Sequence, residues 1–269
     1  DGSLDVSSTG DARIADLQSV NGTITIESTS GAILDNTAGE AALVTGNEVA
    51  LRAATGIGAA GAGDIDLAIN GMAANTTNGD IFLSNPTATA VTTVDLLSGI
   101  TAGGNITIDI DSTLNVFEKI ETTDAASSIV LNATSDINVY SMVVTNGGTI
   151  DLLADNNLLL QAGSTIDTTS AATVTLTADY DGMGGGLFTQ IGGSLVDARG
   201  GALDVTAEDH VRIADLQSAG GTVTITSLNG QIIDNSGAET ANITADKVAL
   251  RAETGIGGGG ANNIDVNVN

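Results

Sequence analysis

Residues 13–26 read Arg-Ile-Ala-Asp-Leu-Gln-Ser-Val-Asn-Gly-Thr-Ile-Thr-Ile, and residues 212–225 read Arg-Ile-Ala-Asp-Leu-Gln-Ser-Ala-Gly-Gly-Thr-Val-Thr-Ile. The match extends both ways without a gap: residues 1–70 and 200–269 align at one constant offset of 199, the step from Arg13 to Arg212. Val49-Ala50-Leu51-Arg52-Ala53 returns as Val248-Ala249-Leu250-Arg251-Ala252, and Thr55-Gly56-Ile57-Gly58 as Thr254-Gly255-Ile256-Gly257. A self-contained domain has no reason to begin again before it stops, so the spacing predicts a unit made to be stacked. Residues 1–199 then form one long repeat of a continuous solenoid, and residues 200–269 open the next.

Inside the repeat the chain alternates apolar and polar residues in short bursts, as in Thr23-Ile24-Thr25-Ile26, Asn105-Ile106-Thr107-Ile108-Asp109-Ile110 and Thr173-Val174-Thr175-Leu176-Thr177. A period of two rich in β-branched residues and bounded by Gly, Asn, Asp and Ser is that of half-buried strands. No segment carries an apolar stripe at helical spacing between caps, so almost no helix is expected. The bursts begin near Leu4, Thr23, Val49, Asp80, Asn105, Ser128, Thr149, Thr173 and Leu203. That spacing predicts an all-β fold, a right-handed parallel β-helix with rungs of about 20–25 residues. Eight or nine such rungs make one long repeat, which at about 4.8 Å per rung advances the axis by about 40 Å.

Composition fits a narrow interior. Aromatics are 2% of the chain, with no Trp, no Cys and one proline, Pro86, yet 42% is hydrophobic. Small aliphatic side chains fill thin, regularly spaced layers without large rings. The 33 acidic residues against 7 basic ones give a net charge of −26, a surface that repels nucleic acid and anionic lipid and attracts cations. Without cysteine there is neither a disulfide framework nor a thiolate metal site, and no apolar run reaches the roughly 18 residues of a membrane span.

The two copies also report which side chains face inward. Apolar positions exchange only with one another, as in Ile24 to Val223, Leu34 to Ile233, Leu67 to Val266 and Ile69 to Val268, whereas Glu48 becomes Lys247 and Glu27 becomes Thr226. The first set points to the core and the second to water.

Rungs such as Gly22-Thr23-Ile24-Thr25-Ile26, the stretch Leu51-Arg52-Ala53-Ala54-Thr55-Gly56-Ile57-Gly58, and Asn75-Thr76-Thr77-Asn78-Gly79-Asp80-Ile81-Phe82-Leu83-Ser84-Asn85 resemble the filamentous-haemagglutinin type of large exoprotein. The resemblance implies a giant secreted or surface-tethered right-handed parallel β-helix, often an adhesin, and carries over no functional residue.

Catalysis on such a scaffold needs clustered carboxylates in a cleft, or Ca2+ with a basic residue. The basic residues Arg13 and Arg52 recur as Arg212 and Arg251, and His210 stands where the other copy has Asp11, so none reads as chemistry. Arg52 and Arg251 follow the core-facing Leu51 and Leu250 and are expected to point outward, pairing with a carboxylate on a neighbouring rung. Calcium is the ion to consider, since Asp64-Ile65-Asp66, Asp109-Ile110-Asp111 and Asp179-Tyr180-Asp181-Gly182 offer oxygen ligands. The last is preferred, with Asp179 and Asp181 as the ligands, because the Asp179–Gly186 loop departs from the regular rungs. That loop and an expected insert from about Leu114 to Glu121, carrying Phe117 and Lys119, are the candidate binding surfaces. The glycine-rich stretches Gly56–Gly63 and Gly255–Gly260 lack the lysine and helix of a phosphate loop and read as tight corners.

The sequence therefore points to an acidic, non-enzymatic structural protein that requires no cofactor, and the resemblance above implies a secreted, extracellular or cell-surface, bacterial setting. Its partners are further copies of itself, in tandem and side by side. A cell-surface or glycan receptor is the adhesin alternative, and a carbohydrate-active enzyme the more distant one.

Overall fold

A computed structural model describes residues 2–37, 39–258 and 262–268. Among these there is no helix; short strands, nearly all parallel, stack coil upon coil into a β-solenoid of about 11 turns. Alternation works as the sequence predicts: Ile24, Ile26, Val49 and Leu51 are fully buried, and the intervening Thr23, Thr25 and Arg52 stay partly exposed. The core is one continuous column of Ile, Leu, Val and Ala running through every coil, with Phe188 its largest member.

Each coil contributes three faces, seen most clearly from residue 81 onward. One sheet stacks Ile81–Asn85, Ile106–Ile110, Ile129–Ala133, Ile150–Ala154 and Val174–Ala178. A second runs through Thr89–Val91, Leu114–Val116 and Ile137–Val139, and a third through Ile100–Ala102, Ile120–Thr122 and Met142–Val144. The coil lengths recur in the two copies. Leu4 stacks on Ile24 and Ile24 on Val49, steps of 20 and 25 residues; Leu203 stacks on Val223 and Val223 on Val248, again 20 and 25.

The copies nevertheless do not lie face above face. Following partners upward gives Ala12, Ile33, Ile57, Ile81, Ile106, Ile129, Ile150, Val174 and Leu203, eight coils in eight pairings. Leu203 thus stands over Ala12, although its sequence equivalent is Leu4, one face earlier. The long repeat holds eight coils and about a third, and the second copy is turned by one face about the axis.

The faces slip on two strands: Ile81–Asn85 stacks over both Ile57 and Ile65, and the same sharing is seen on Gly71–Thr76. Its first residues pair with Thr89–Val91 (Gly71 with Ala90, Met72 with Val91), while its later ones pair with Ile100–Ala102 (Ala74 with Ile100). Between those two strands the chain leaves the solenoid in a small antiparallel hairpin, Thr93–Val94 with Leu97–Ser98. The hairpin makes a corner above a strand that had none. The burst near Asp80 lies so far from the one at Val49 because the two are on different faces: Val49 stacks with Met72, and Ile81 with Ile57.

Two expectations are corrected. Leu114–Glu121 is no insert: Leu114, Val116 and Ile120 are fully buried in regular strands, and only the Phe117–Lys119 corner separates them. Apolar core positions also do not exchange only with apolar ones, because buried Leu43 becomes buried Asn242. The amide is tolerated because it is fully used: Asn242 Nδ2 donates to Asp234 Oδ1 (2.7 Å) and to the Ala214 carbonyl (3.3 Å), and its Oδ1 accepts from the Asp265 N–H (2.9 Å).

Candidate functional site

A cleft of about 690 Å3 opens on the outside of the solenoid at the slip. One wall is the loop between Ile57 and Ile65, which folds on itself through the Ala59 N–H to Gly63 carbonyl bond (2.7 Å). The loop starts at Gly58, whose φ is +67° and whose missing Cβ would lie 2.6 Å from the Phe82 carbonyl oxygen, so no larger residue fits there. Ile65 then turns inward, and Asp64 and Asp66 on either side of it turn to the cleft. The floor is the strand Ile81–Asn85, and Asp109 and Asp111 enter from the next coil.

Stacking dictates what happens to these charges. Outward residues of one column lie a strand spacing apart, where like charges repel. Along Asp66, Ser84, Asp109 and Asn132 acid and neutral donor alternate: Ser84 Oγ donates to Asp66 Oδ1 (2.7 Å), and Asn132 Nδ2 donates to Asp109 Oδ1 (2.5 Å). Despite the Ser84 bond, Glu40, Asp64 and Asp66 crowd together. They present oxygens all within 4.8 Å of one another, the single group of three acidic, cysteine or histidine residues that meets this spacing among the described residues. Asp66 is only 7% exposed, and Asp64 Oδ1 is buried with no hydrogen-bond donor. Burial, then repulsion from Asp66 and Glu40, pushes the Asp64 carboxyl up to about 6. Such a group can keep a proton close to neutral pH or share a hard cation such as Ca2+ among its oxygens. No lysine, arginine or histidine is among the residues that line the cleft.

The preferred ligands of the sequence reading lie elsewhere. Asp179 and Asp181 sit in the Asp179–Gly186 loop, which does leave the regular coil. Asp179, 9% exposed with φ +62°, accepts the Gly184 N–H on Oδ1 (2.8 Å), and Asp181 Oδ1 accepts the Met183 N–H (3.0 Å). Asp155 joins them, its carboxyl pushed up by burial and then by the charges of Asp181 and Asp179. Two of the three Asp-rich stretches, Asp64–Asp66 and Asp109–Asp111, meet in the cleft; the third stands apart from it.

The remaining singled-out residues have plain partners. His210 accepts the Gln231 N–H on Nδ1 (3.0 Å). Phe117 and Tyr140, both about half exposed, pack against each other with ring centroids 4.7 Å apart and planes tilted by 35°. Arg52 points outward as expected, but its carboxylate partner, Asp95 at 3.3 Å, belongs to the hairpin rather than to a neighbouring rung. Gly56, Gly58 and Gly61 all take positive φ, as corners require; Gly259 and Gly260 lie outside the described residues. The hairpin went unseen in the sequence because its turn, Asp95-Leu96, takes positive φ at both positions without glycine or asparagine.

No protein-family model matches the chain, and no curated protein or solved structure matches it either. The chain is a β-solenoid consistent with β-helix repeat proteins.

Proposed function

We propose that this chain is a segment of a long, extracellular, non-enzymatic structural fibre of the filamentous-haemagglutinin type, built from tandem copies of the 199-residue unit and requiring no cofactor. One observation carries the reading: the second copy resumes the coil lengths of the first, 20 then 25 residues, on the same core column. Rung stacking is main-chain pairing with apolar burial, so it propagates as far as the sequence repeats. The acidic surface supports a fibre that stays dispersed until cations bring copies side by side.

A second reading is an adhesin stalk that takes a cell-surface or glycan receptor, and the exposed Phe117–Tyr140 pair favours it, because aromatic rings suit sugar faces. The test is a recombinant array of three units viewed by electron microscopy and assayed on polysaccharides. The fibre reading expects unbranched rods that lengthen by about 40 Å per unit, from eight and a third coils at about 4.8 Å each, with no turnover. Compact particles would overturn it. Cleavage lost on Asp64→Asn would make the chain an enzyme working through the acidic cleft.

A further inference from the structure

The hairpin Thr93–Ser98 lies flat on the outside of three successive coils. Val94, 1% exposed, packs on Ala50 and Ala73, which it covers completely, and Leu97 joins them in an apolar cluster separate from the core. Asp95 anchors the turn: its Oδ2 accepts from Thr25 Oγ1 (3.0 Å) and from Arg52 Nη1 (3.3 Å), and its carbonyl accepts from Arg52 Nη2 (2.5 Å). Alanine lets the two backbones approach closely, and one guanidinium reads both the acid and the carbonyl of the turn residue. The hairpin therefore ties the coils of Thr25, Ala50 and Ala73 together where the faces slip.

The second copy rebuilds that platform and leaves it bare. Thr224 pairs in register with Ala249, and Thr226 with Arg251, as Thr25 pairs with Ala50 and Glu27 with Arg52. Ala249 and Arg251 are exposed, and Arg251 has no ion pair among the described residues. We infer that Thr224, Ala249 and Arg251 form the docking surface for a β-hairpin whose turn opens with an acidic residue, delivered by the following coils of a further copy of the repeat. The occupant is identified by the hairpin that already covers the same three residue types in the first copy. The inference rests on the tandem reading, and it makes the hairpin a clip that recurs once per repeat, turned by one face each time.

Because the chain has no cysteine, thiol labelling reads this surface directly. In the 269-residue chain a thiol from Ala249→Cys should label at least about 100-fold faster than one from Ala50→Cys, since only the latter needs local opening. Adding Asp95→Asn to the Ala50→Cys chain should raise its rate about tenfold with the β circular-dichroism signal intact. Appending a second copy of residues 71–104 to the C-terminal end supplies the proposed occupant. The Ala249→Cys thiol should then slow to the rate seen at position 50, and Arg251→Ala should release it. If the appended coil adds β signal and stability while the thiol stays fast, the docking surface is wrong and the tandem reading stands. If the appended coil adds neither, the tandem reading fails first.

Discussion

The first 70 residues and the last 70 are two copies of one repeat, identical at 37 of 70 positions, in two settings. Val49 and Leu51 are fully buried between the coils of Ile24 and Met72, whereas Val248 and Leu250 are only partly buried, with a coil beneath and only Val266–Val268 placed above part of their strand. Ala50 is hidden by a hairpin and Ala249 is open. The same side chain thus takes its role from the coil that follows it. In a solenoid stability belongs to the interfaces between rungs and not to any one rung.

The largest test of that contrast removes the same side chain from each copy. Leu51→Ala should destabilise its neighbourhood by about 3 kcal/mol, and Leu250→Ala by about 1 kcal/mol, because only the first leaves a closed cavity. Hydrogen exchange of the flanking strands reads the two locally, where global melting would blur them. Equal effects would mean that the end coil is as well packed as the middle.

Next comes the position where the core itself differs. Asn242→Leu strips a donor from Asp234 and from the Ala214 carbonyl and should destabilise by about 2 kcal/mol. The reverse change, Leu43→Asn, should be milder than a buried amide normally is. The repeat equivalent of Asp234 is Asp35, whose Oδ2 is buried without a donor. If both changes are equally harmful by chemical denaturation, the two pockets are not equivalent.

A smaller effect separates the copies by pH. Asp64 is replaced by Asn263 in the second copy. Its carboxyl is raised from 3.8 to about 6, so the folded chain holds the proton more tightly than the unfolded chain; the stability this lends is complete below pH 3.8 and is lost as pH rises through about 6. Asp64→Asn should therefore stabilise by about 1 kcal/mol at pH 7, after discounting for solvent screening, and by nothing at pH 3. Melting curves at the two pH values decide it, and a pH-independent difference would show that the acidic cluster is not strained by its charge.

The smallest effect has the opposite sign and lies in the coils that join the copies. Asp167 is held below the usual carboxylate range, first by the hydrogen bond from Arg199, whose Nη2 is 2.7 Å from Oδ2. Its contribution is present at neutral pH and is lost as pH falls through the lowered value. Asp167→Asn should weaken the fold by under about 1 kcal/mol at pH 7, since Arg199 is half exposed, and the difference should shrink toward acid.

Much of this was legible in the chain. The alternation at Thr23–Ile26 and Asn105–Ile110 gave strands and faces, because a period of two has one inward side. The gapless return of Arg13–Ser19 gave the repeat. What stayed hidden was written in pairing rather than pattern. Nothing local distinguishes Gly71–Thr76, the strand shared by two others, and Asp95-Leu96 carries neither glycine nor asparagine. The cleft was half legible: Asp64–Asp66 and Asp109–Asp111 stood out as oxygen-rich, but only the stacking of Ser84 between Asp66 and Asp109 brings them together, and Glu40 gave no signal at all.

The central claim is that one axis runs through the whole chain, with Leu203 eight coils above Ala12. Spin labels at the outward neighbours Arg13 and Asp204 measure this directly by double electron–electron resonance. Eight coils at about 4.8 Å predict one distance population near 38 Å; a population below about 25 Å would mean that the chain folds back on itself, and the single-axis solenoid would be wrong.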